Sequence, residues 1–344
     1  MQLRPALALA RGQWCKLICG ASFHHLPTIH NLALIYTLAG VDCIDLAADP
    51  AIVQAAQAGI AQAQALQPNL HPPWLMASLN AGEDPHFRKA VIAGSCPPDC
   101  PQPCLQVWPP QAQAPTPPIQ ISEALCYGCG RCQPVCPYQS LTMNYFAVSA
   151  GEVLPRLLHL GIQAVEIHTQ VGELPAFRQI WQVLQPWVAK LALVSISCGD
   201  GPELGSYLRS LLEVMQPRPA LLIWQTDGRP MSGDLGVGAT RATLNLARKV
   251  LDLHLPGYVQ LAGGTNIATM PKARQLGIPV AGVAYGSYAR HLVAAAAEHQ
   301  DLTRYPDLLW ASVAQARTLL NTVKTLPESG SQDLYLSRGS PPTW

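Results

Sequence analysis

The sequence predicts an α/β fold, a (β/α)8 TIM-like barrel interrupted by one inserted, cysteine-rich module. Three observations predict it. Eight short apolar runs rich in β-branched residues alternate with helix-length amphipathic stretches, the pattern of βα units on a parallel sheet. The chain has 344 residues, enough for a barrel of about 250 residues and an insertion. From about Asp84 to Tyr145 the text turns Pro- and Cys-rich and holds seven of the 11 cysteines. A doubly wound open sheet is the alternative, because period alone does not show closure.

The predicted strands, in order, are "CKLICGAS" (15–22), "CIDLAA" (43–48), "WLMASL" (74–79), "AVEIHT" (164–169), "LALVSIS" (191–197), "ALLIWQT" (220–226), "YVQLAG" (258–263) and "VAGVAYG" (280–286). Helices are expected between them over "TIHNLALIYTLAG", "PAIVQAAQAGIAQAQAL", "EVLPRLLHLG", "LPAFRQIWQVLQPWVAK", "ELGSYLRSLLEVM", "GATRATLNLARKVLDL" and "TMPKARQLG", with "HLVAAAAEH" after the last strand. Several start after Pro or Thr and stop at Gly, as helix ends do. The chain thus divides into 1–83, the first part of the barrel; 84–145, the inserted module; 146–326, the second part of the barrel; and 327–344, a polar Gly/Ser/Pro-rich tail expected to be flexible. Within the insertion, "WPPQAQAPTPPIQ" favours extended connections over helix.

Composition narrows the function. Hydrophobic residues make up 49% of the chain and charged ones 12%, yet no run approaches the roughly 20 apolar residues of a membrane-spanning helix. The chain is therefore expected to be soluble, with no membrane span. A net charge of +1 without a Lys/Arg stripe excludes nucleic acid as the expected partner. "MQLRPALALARGQWCK" has no long apolar core of a secretory signal, so the cysteines read as metal ligands in preference to a disulfide framework.

Cys126, Cys129, Cys132 and Cys136, followed by Pro137, reproduce C-x2-C-x2-C-x3-C-P, the bacterial ferredoxin run that ligates a 4Fe-4S cluster. Such a loop presents three thiolates to three corners of one cubane, and its fourth thiol serves a neighbouring cluster. Gly128 and Gly130 allow the tight turn. The insertion is accordingly expected to be a ferredoxin-like iron–sulfur module. A zinc site is the alternative, but the second C-x2-C knuckle that zinc motifs pair at a distance is missing.

Upstream, "CPPDCPQPC" places Cys96, Cys100 and Cys104 at spacings of three and three. In one arrangement these three join Cys136, leaving Cys126, Cys129 and Cys132 without a fourth thiol. In another, Cys100 crosses over and Cys96, Cys104 and Cys136 share the second site. Seven thiols then serve two clusters that want eight. The eighth ligand is Cys15, Cys19, Cys43 or Cys198 from the barrel, a carboxylate such as Asp99, or nothing, which gives a 3Fe-4S cluster. A single cluster with Cys96, Cys100 and Cys104 merely structural is the simpler version.

The barrel offers a second, speculative site. Gly263, Gly264, Gly286 and Ser287 lie after the seventh and eighth strands, where barrels often bind phosphate, and Arg290 supplies a counter-charge. Phosphate or FMN is the expected ligand class there, with "DGRPMSGDLGVGAT" as a covering loop. Glu166 and His168 alternate on one strand face, as acid/base partners need, although such pairs more often hydrogen-bond in a core. Nucleophile-elbow, Walker, Rossmann and radical-SAM patterns are missing. No catalytic set emerges, and any enzyme activity would be that of an oxidoreductase.

On the run Cys126 to Pro137, the irregular "CPPDCPQPC" and the long region from about Asn144 onward, the chain resembles the light-dependent period (LdpA) family of oxygenic phototrophs. The resemblance covers nearly the whole chain. It implies an iron–sulfur protein that senses redox state and reports it to the circadian clock through clock input proteins, with the quinone or ferredoxin pool as redox partners. It implies metal-ligand roles for Cys126, Cys129, Cys132 and Cys136, and for Cys96, Cys100 and Cys104. A cytoplasmic location follows, or a peripheral one at photosynthetic membranes. Alternatives are an iron–sulfur flavoenzyme with FMN at the barrel mouth and an assembly factor for a photosynthetic electron-transfer complex.

Overall fold

A computed structural model describes residues 5–21, 23–82, 87–94, 96–101, 103–104, 121, 126, 132–145, 148–229, 236–299 and 301–325. Eight parallel strands close into a barrel: β1 (Trp14–Gly20), β2 (Cys43–Ala47), β3 (Trp74–Asn80), β6 (Ala164–Thr169), β7 (Leu193–Cys198), β8 (Leu222–Asp227), β9 (Tyr258–Ala262) and β10 (Gly282–Tyr285), with β1 pairing both β2 and β10. All eight predicted strands are found, with ends shifted by one or two residues. Closure removes the open-sheet alternative.

Two further strands were not expected. β4 (Arg88–Ile92) and β5 (Leu141–Tyr145) pair antiparallel, from Arg88 opposite Tyr145 to Ile92 opposite Leu141. They interrupt the barrel between β3 and β6. The long excursion from 93 to 140 thus starts and ends on one small hairpin.

The helices are α1 (Pro5–Ala10), α2 (Leu26–Ala39), α3 (Pro50–Leu66), α4 (Ala150–His159), α5 (Leu174–Leu184), α6 (Leu204–Val214), α7 (Thr240–Asp252), α8 (Thr269–Gln275), α9 (Ser287–Leu292), α10 (Ala294–Ala297) and α11 (Pro306–Lys324). Local chemistry sets their ends. Asp49 caps α3 by accepting from the Ala51 and Ile52 N–H groups at 2.7 and 3.4 Å, and Pro50 follows at the first helical position. Gly40, at φ 96°, closes α2 in the left-handed conformation and donates to the Tyr36 and Thr37 carbonyls. The helix expected over 174–190 splits: α5 stops at Leu184 and a 3₁₀ segment runs Gln185–Lys190, because Pro186 has no N–H to continue the ladder. The segment expected as "HLVAAAAEH" is likewise two short helices.

α11 is a 19-residue helix beyond the eighth unit. Leu309, Val313, Ala316, Leu320 and Val323 are buried at helical spacing and join the core between barrel and helices. The tail 327–344 lies outside the described residues. Among the described residues no helix is long and apolar enough to cross a membrane.

Candidate metal centre and its seat on the barrel

The β4–β5 hairpin carries the cysteines. Ala90 of β4 and Leu141 of β5 pack with Cys104, Cys126, Cys132 and Cys136, and Ile92, Ile121 and Met143 flank them. Each of these four cysteines is 9% exposed or less. The Ala90 N–H donates to Cys126 Sγ at 3.3 Å, the kind of backbone bond that steadies a ligating sulfur. Tight turns bend the chain around them: the Cys100 N–H bonds the Pro97 carbonyl, and the Gln139 N–H bonds the Cys136 carbonyl.

Electrostatic neighbourhoods sort the thiols. Burial raises the Cys96 thiol, and the Cys100 and Cys136 thiols beside it add to the rise. Burial likewise raises Cys104, with Cys96, Cys100 and Cys136 as its charged neighbours. Cys136 thus neighbours Cys96 and Cys104 electrostatically while packing in one cluster with Cys104, Cys126 and Cys132. Clustered buried thiols resist ionisation on their own; a bound cation reverses that preference and holds them as thiolates. Cys129 lies outside the described residues. Among the described residues, no three His, Cys, Asp or Glu side chains converge on a position for a single metal ion.

The barrel cysteines are elsewhere. Cys15, Cys19 and Cys198 are in the core between strands and helices, and Cys43 is in an apolar floor with Leu9, Trp14, Met76, Ala164, Leu193 and Ile223. Burial pushes the Cys19 thiol up to about 12 and Cys15 higher still, so both stay protonated. Asp99 is hydrogen-bonded to Tyr138.

Above the apolar floor the barrel interior becomes ionic. Lys16 of β1 reaches across to Glu166 of β6 through a short hydrogen bond, and its Nζ is 3.6 Å from Asp45 Oδ2 of β2. Glu166 also accepts from Ser195 Oγ at 2.8 Å and Gln225 Nε2 at 2.7 Å, and lies 3.2 Å from His168 Nε2. Burial alone would lower the Lys16 ammonium, but Glu166 and Asp45 outweigh it and hold it above its ordinary value. Burial works to raise Glu166, and Lys16 overrides it, leaving the carboxyl below the usual range. Asp45 differs: burial dominates and pushes it up to about 6. Glu166 and His168 share a face as the sequence predicts, but Glu166 is fully committed to core partners.

The hairpin sits over the C-terminal mouth of this barrel. Phe87, 1% exposed, stands edge-on to the His168 ring with centroids 5.4 Å apart. Lys89 Nζ is 2.9 Å from His24 Nδ1 on the loop after β1, and the Tyr145 hydroxyl donates to the Gly82 carbonyl. Lys16, Asp45, Phe87 and Lys89 were not singled out by sequence. The available signal was a charge at an inward position of an apolar strand, in "CKLIC" and "CIDLA".

The rim glycines have a packing reason. A Cβ on Gly263 (φ 69°) would fall 1.9 Å from Asp227 Oδ1, and one on Gly264 (φ 83°) 2.8 Å from the Ala239 carbonyl. Both let the loop after β9 lie against the loop after β8. Arg290 donates to the Ile18 and Cys19 carbonyls at 2.8 and 3.1 Å and to Ser287 Oγ at 3.2 Å. Gly286 precedes the six-residue α9. Part of the covering loop, 230–235, lies outside the described residues.

Comparison with known proteins follows the same division. Residues 96–145 match the family model described as the LdpA Fe-S cluster-binding domain, and residues 156–322 match the Light dependent period A C-terminal domain. A protein named Light dependent period A from Synechococcus elongatus is 47% identical over 333 residues, covering 93% of this chain and 94% of its own length. Among solved structures, tryptophan synthase subunit alpha from Legionella pneumophila is 10% identical with a TM-score of 0.47, covering 95% of this chain and all of that one. The 2-keto-3-deoxy-6-phospho-gluconate aldolase from Zymomonas mobilis is 8% identical with a TM-score of 0.44, covering 95% and 99%. The barrel here rests on its own strand order, not on those two likenesses.

Proposed function

Because the chain belongs to the light dependent period A family, we propose that it is a redox-sensing iron–sulfur protein that passes the state of its module to partners of the circadian clock. The module over 96–145 is an iron–sulfur cluster-binding domain. In this reading Cys96, Cys100, Cys104 and Cys136 hold one cluster of the 4Fe-4S type. Cys126, Cys129 and Cys132 hold a second, of the three-iron type. The supporting observation is the packing of Cys104, Cys126, Cys132 and Cys136 together on the hairpin, with Cys126 Sγ accepting the Ala90 N–H.

Such clusters supply reversible one-electron chemistry. The chain's part is to hold the thiolates in a half-dry pocket on β4 and β5 and to set that pocket on the barrel mouth. Partners of the proposed sensor are clock input proteins, with the quinone or ferredoxin pool as electron source. Cytoplasmic residence, with or without peripheral attachment to photosynthetic membranes, belongs to the same proposal.

Iron and acid-labile sulfide counts with EPR on an anaerobic preparation test the metal part. About seven irons per chain and two distinct signals are expected, and Cys136→Ser should lose about half of the iron. The sensing part is tested by capture of native partners with and without reductant. A response to reductant that survives in Cys129→Ser would remove the sensing role.

A further inference from the structure

One short segment joins the thiols to the barrel interior. Cys126 Sγ accepts from the Ala90 N–H at 3.3 Å, Lys89 beside it meets His24 at 2.9 Å, and Phe87 stands against His168. Phe87 to Ala90 is at most about 10 Å of extended chain. Under Phe87, Ser78 Oγ donates to Asp45 Oδ1 at 2.7 Å and lies 3.3 Å from His168 Nε2, so a single hydroxyl touches two titratable groups. Asp45 is 2% exposed, Ser78 1% and His168 4%.

We propose that adding one electron to the iron–sulfur group held by Cys126 is accompanied by partial uptake of a proton, up to about half a proton per electron near pH 6 to 7, at the buried Asp45–Ser78–His168 unit, making the barrel interior a proton-binding site coupled to the cysteine module. This rests on the iron–sulfur reading above. The electron comes from a one-electron donor of the reduced ferredoxin or hydroquinone class. The proton comes from water and ends on the Asp45 carboxylate, which His168 contacts through the Ser78 hydroxyl. The proton bound on average offsets part of the electron's negative charge, and the remainder stays on the module.

The charges around Asp45 decide which group responds. From β1 it faces Lys16 and the Cys19 thiol, from its own strand Cys43, and from β6 Glu166 and His168. Lys16 is held above and Glu166 below its ordinary value, so that pair stays ionised through the neutral range. Asp45, already lifted to about 6, is the carboxylate nearest to changing state. A negative charge added at the module disfavours the Asp45 carboxylate and moves that acid upward, and a rise of about one pH unit corresponds to about a tenfold change in the equilibrium.

Potentiometric titration of the anaerobic full chain, followed by EPR between pH 5 and 8, tests this. The reduction equilibrium should weaken about tenfold in total with rising pH, about 59 mV for one electron, and most steeply between about pH 6 and 7. Reduced-minus-oxidised infrared spectra should gain a protonated-carboxyl band. Asp45→Asn should keep its iron and lose both effects. Ser78→Ala should move the step to higher pH, since the carboxylate loses a donor that favours its charged form. A potential independent of pH in a fully loaded wild-type chain overturns the inference. So does an unchanged pH dependence in Asp45→Asn or, if that variant does not fold, an unmoved step in Ser78→Ala. A chain that binds no iron overturns the metal reading itself, through the iron count and not the potential.

Discussion

At the scale of single residues, Lys16 shows how much one buried charge controls. It is fully buried between Glu166 and Asp45, and removing one partner of a buried ionic group leaves uncompensated charge costing about 3–5 kcal/mol. Lys16→Met should therefore lower unfolding stability by about that amount in a denaturant titration. Asp42, under the barrel floor, yields a pH prediction. Burial raises it to about 6 against the opposing Lys324 ammonium. Its ordinary value is 3.8, so between these two pH values the folded chain holds more protons than the unfolded one. Its contribution to stability is then present at low pH and lost as pH rises toward about 6. The wild-type chain should lose stability relative to Asp42→Asn as pH goes from 5 to 7, read as the difference in melting temperature. Legibility at this scale depended on sequence distance. Cys126, Cys129, Cys132 and Cys136 fall within 11 residues, so spacing alone carries their chemistry. Lys16 and Glu166 are 150 positions apart, and only barrel closure brings them together.

At the scale of elements, the eight βα strands were legible because each is a short apolar run with its own punctuation. β4 and β5 were not, because "RKAVI" and "LTMNY" are mixed in polarity and lie 49 residues apart, from Ile92 to Leu141. Only their mutual pairing identifies them. α11 carries a readable helical stripe, yet nothing local says that it packs on α2 and on the barrel underside. There Lys324 meets Asp42, and Gln13 Nε2 donates to the Lys324 carbonyl at 2.6 Å. Leu319 is completely buried on that helix. Leu319→Ala should cost about 2–5 kcal/mol without changing the iron content, a separation that chemical unfolding and iron analysis on one preparation would show.

At the scale of the whole molecule, the insertion is built onto the barrel instead of hanging beside it. Phe87 covers His168, Lys89 engages the loop after β1, and Tyr145 bonds the loop after β3. All three contacts come from the same hairpin that packs the cysteines. A ligand that binds only the folded form stabilises whatever folds with its site, by about 2.7 kcal/mol at a hundredfold excess over Kd. Metal held by the module should therefore stabilise the barrel as well. Anaerobic removal of iron with a chelator is expected to lower the melting temperature of the helical circular-dichroism signal, to which the barrel's helices contribute. Phe87→Ala removes the aromatic contact to His168, and should weaken that dependence while the module still binds iron. If iron loss leaves the helical melting temperature unchanged in the wild-type chain, the hairpin contacts do not couple the two parts. If it lowers melting equally in Phe87→Ala, the coupling runs through some other contact.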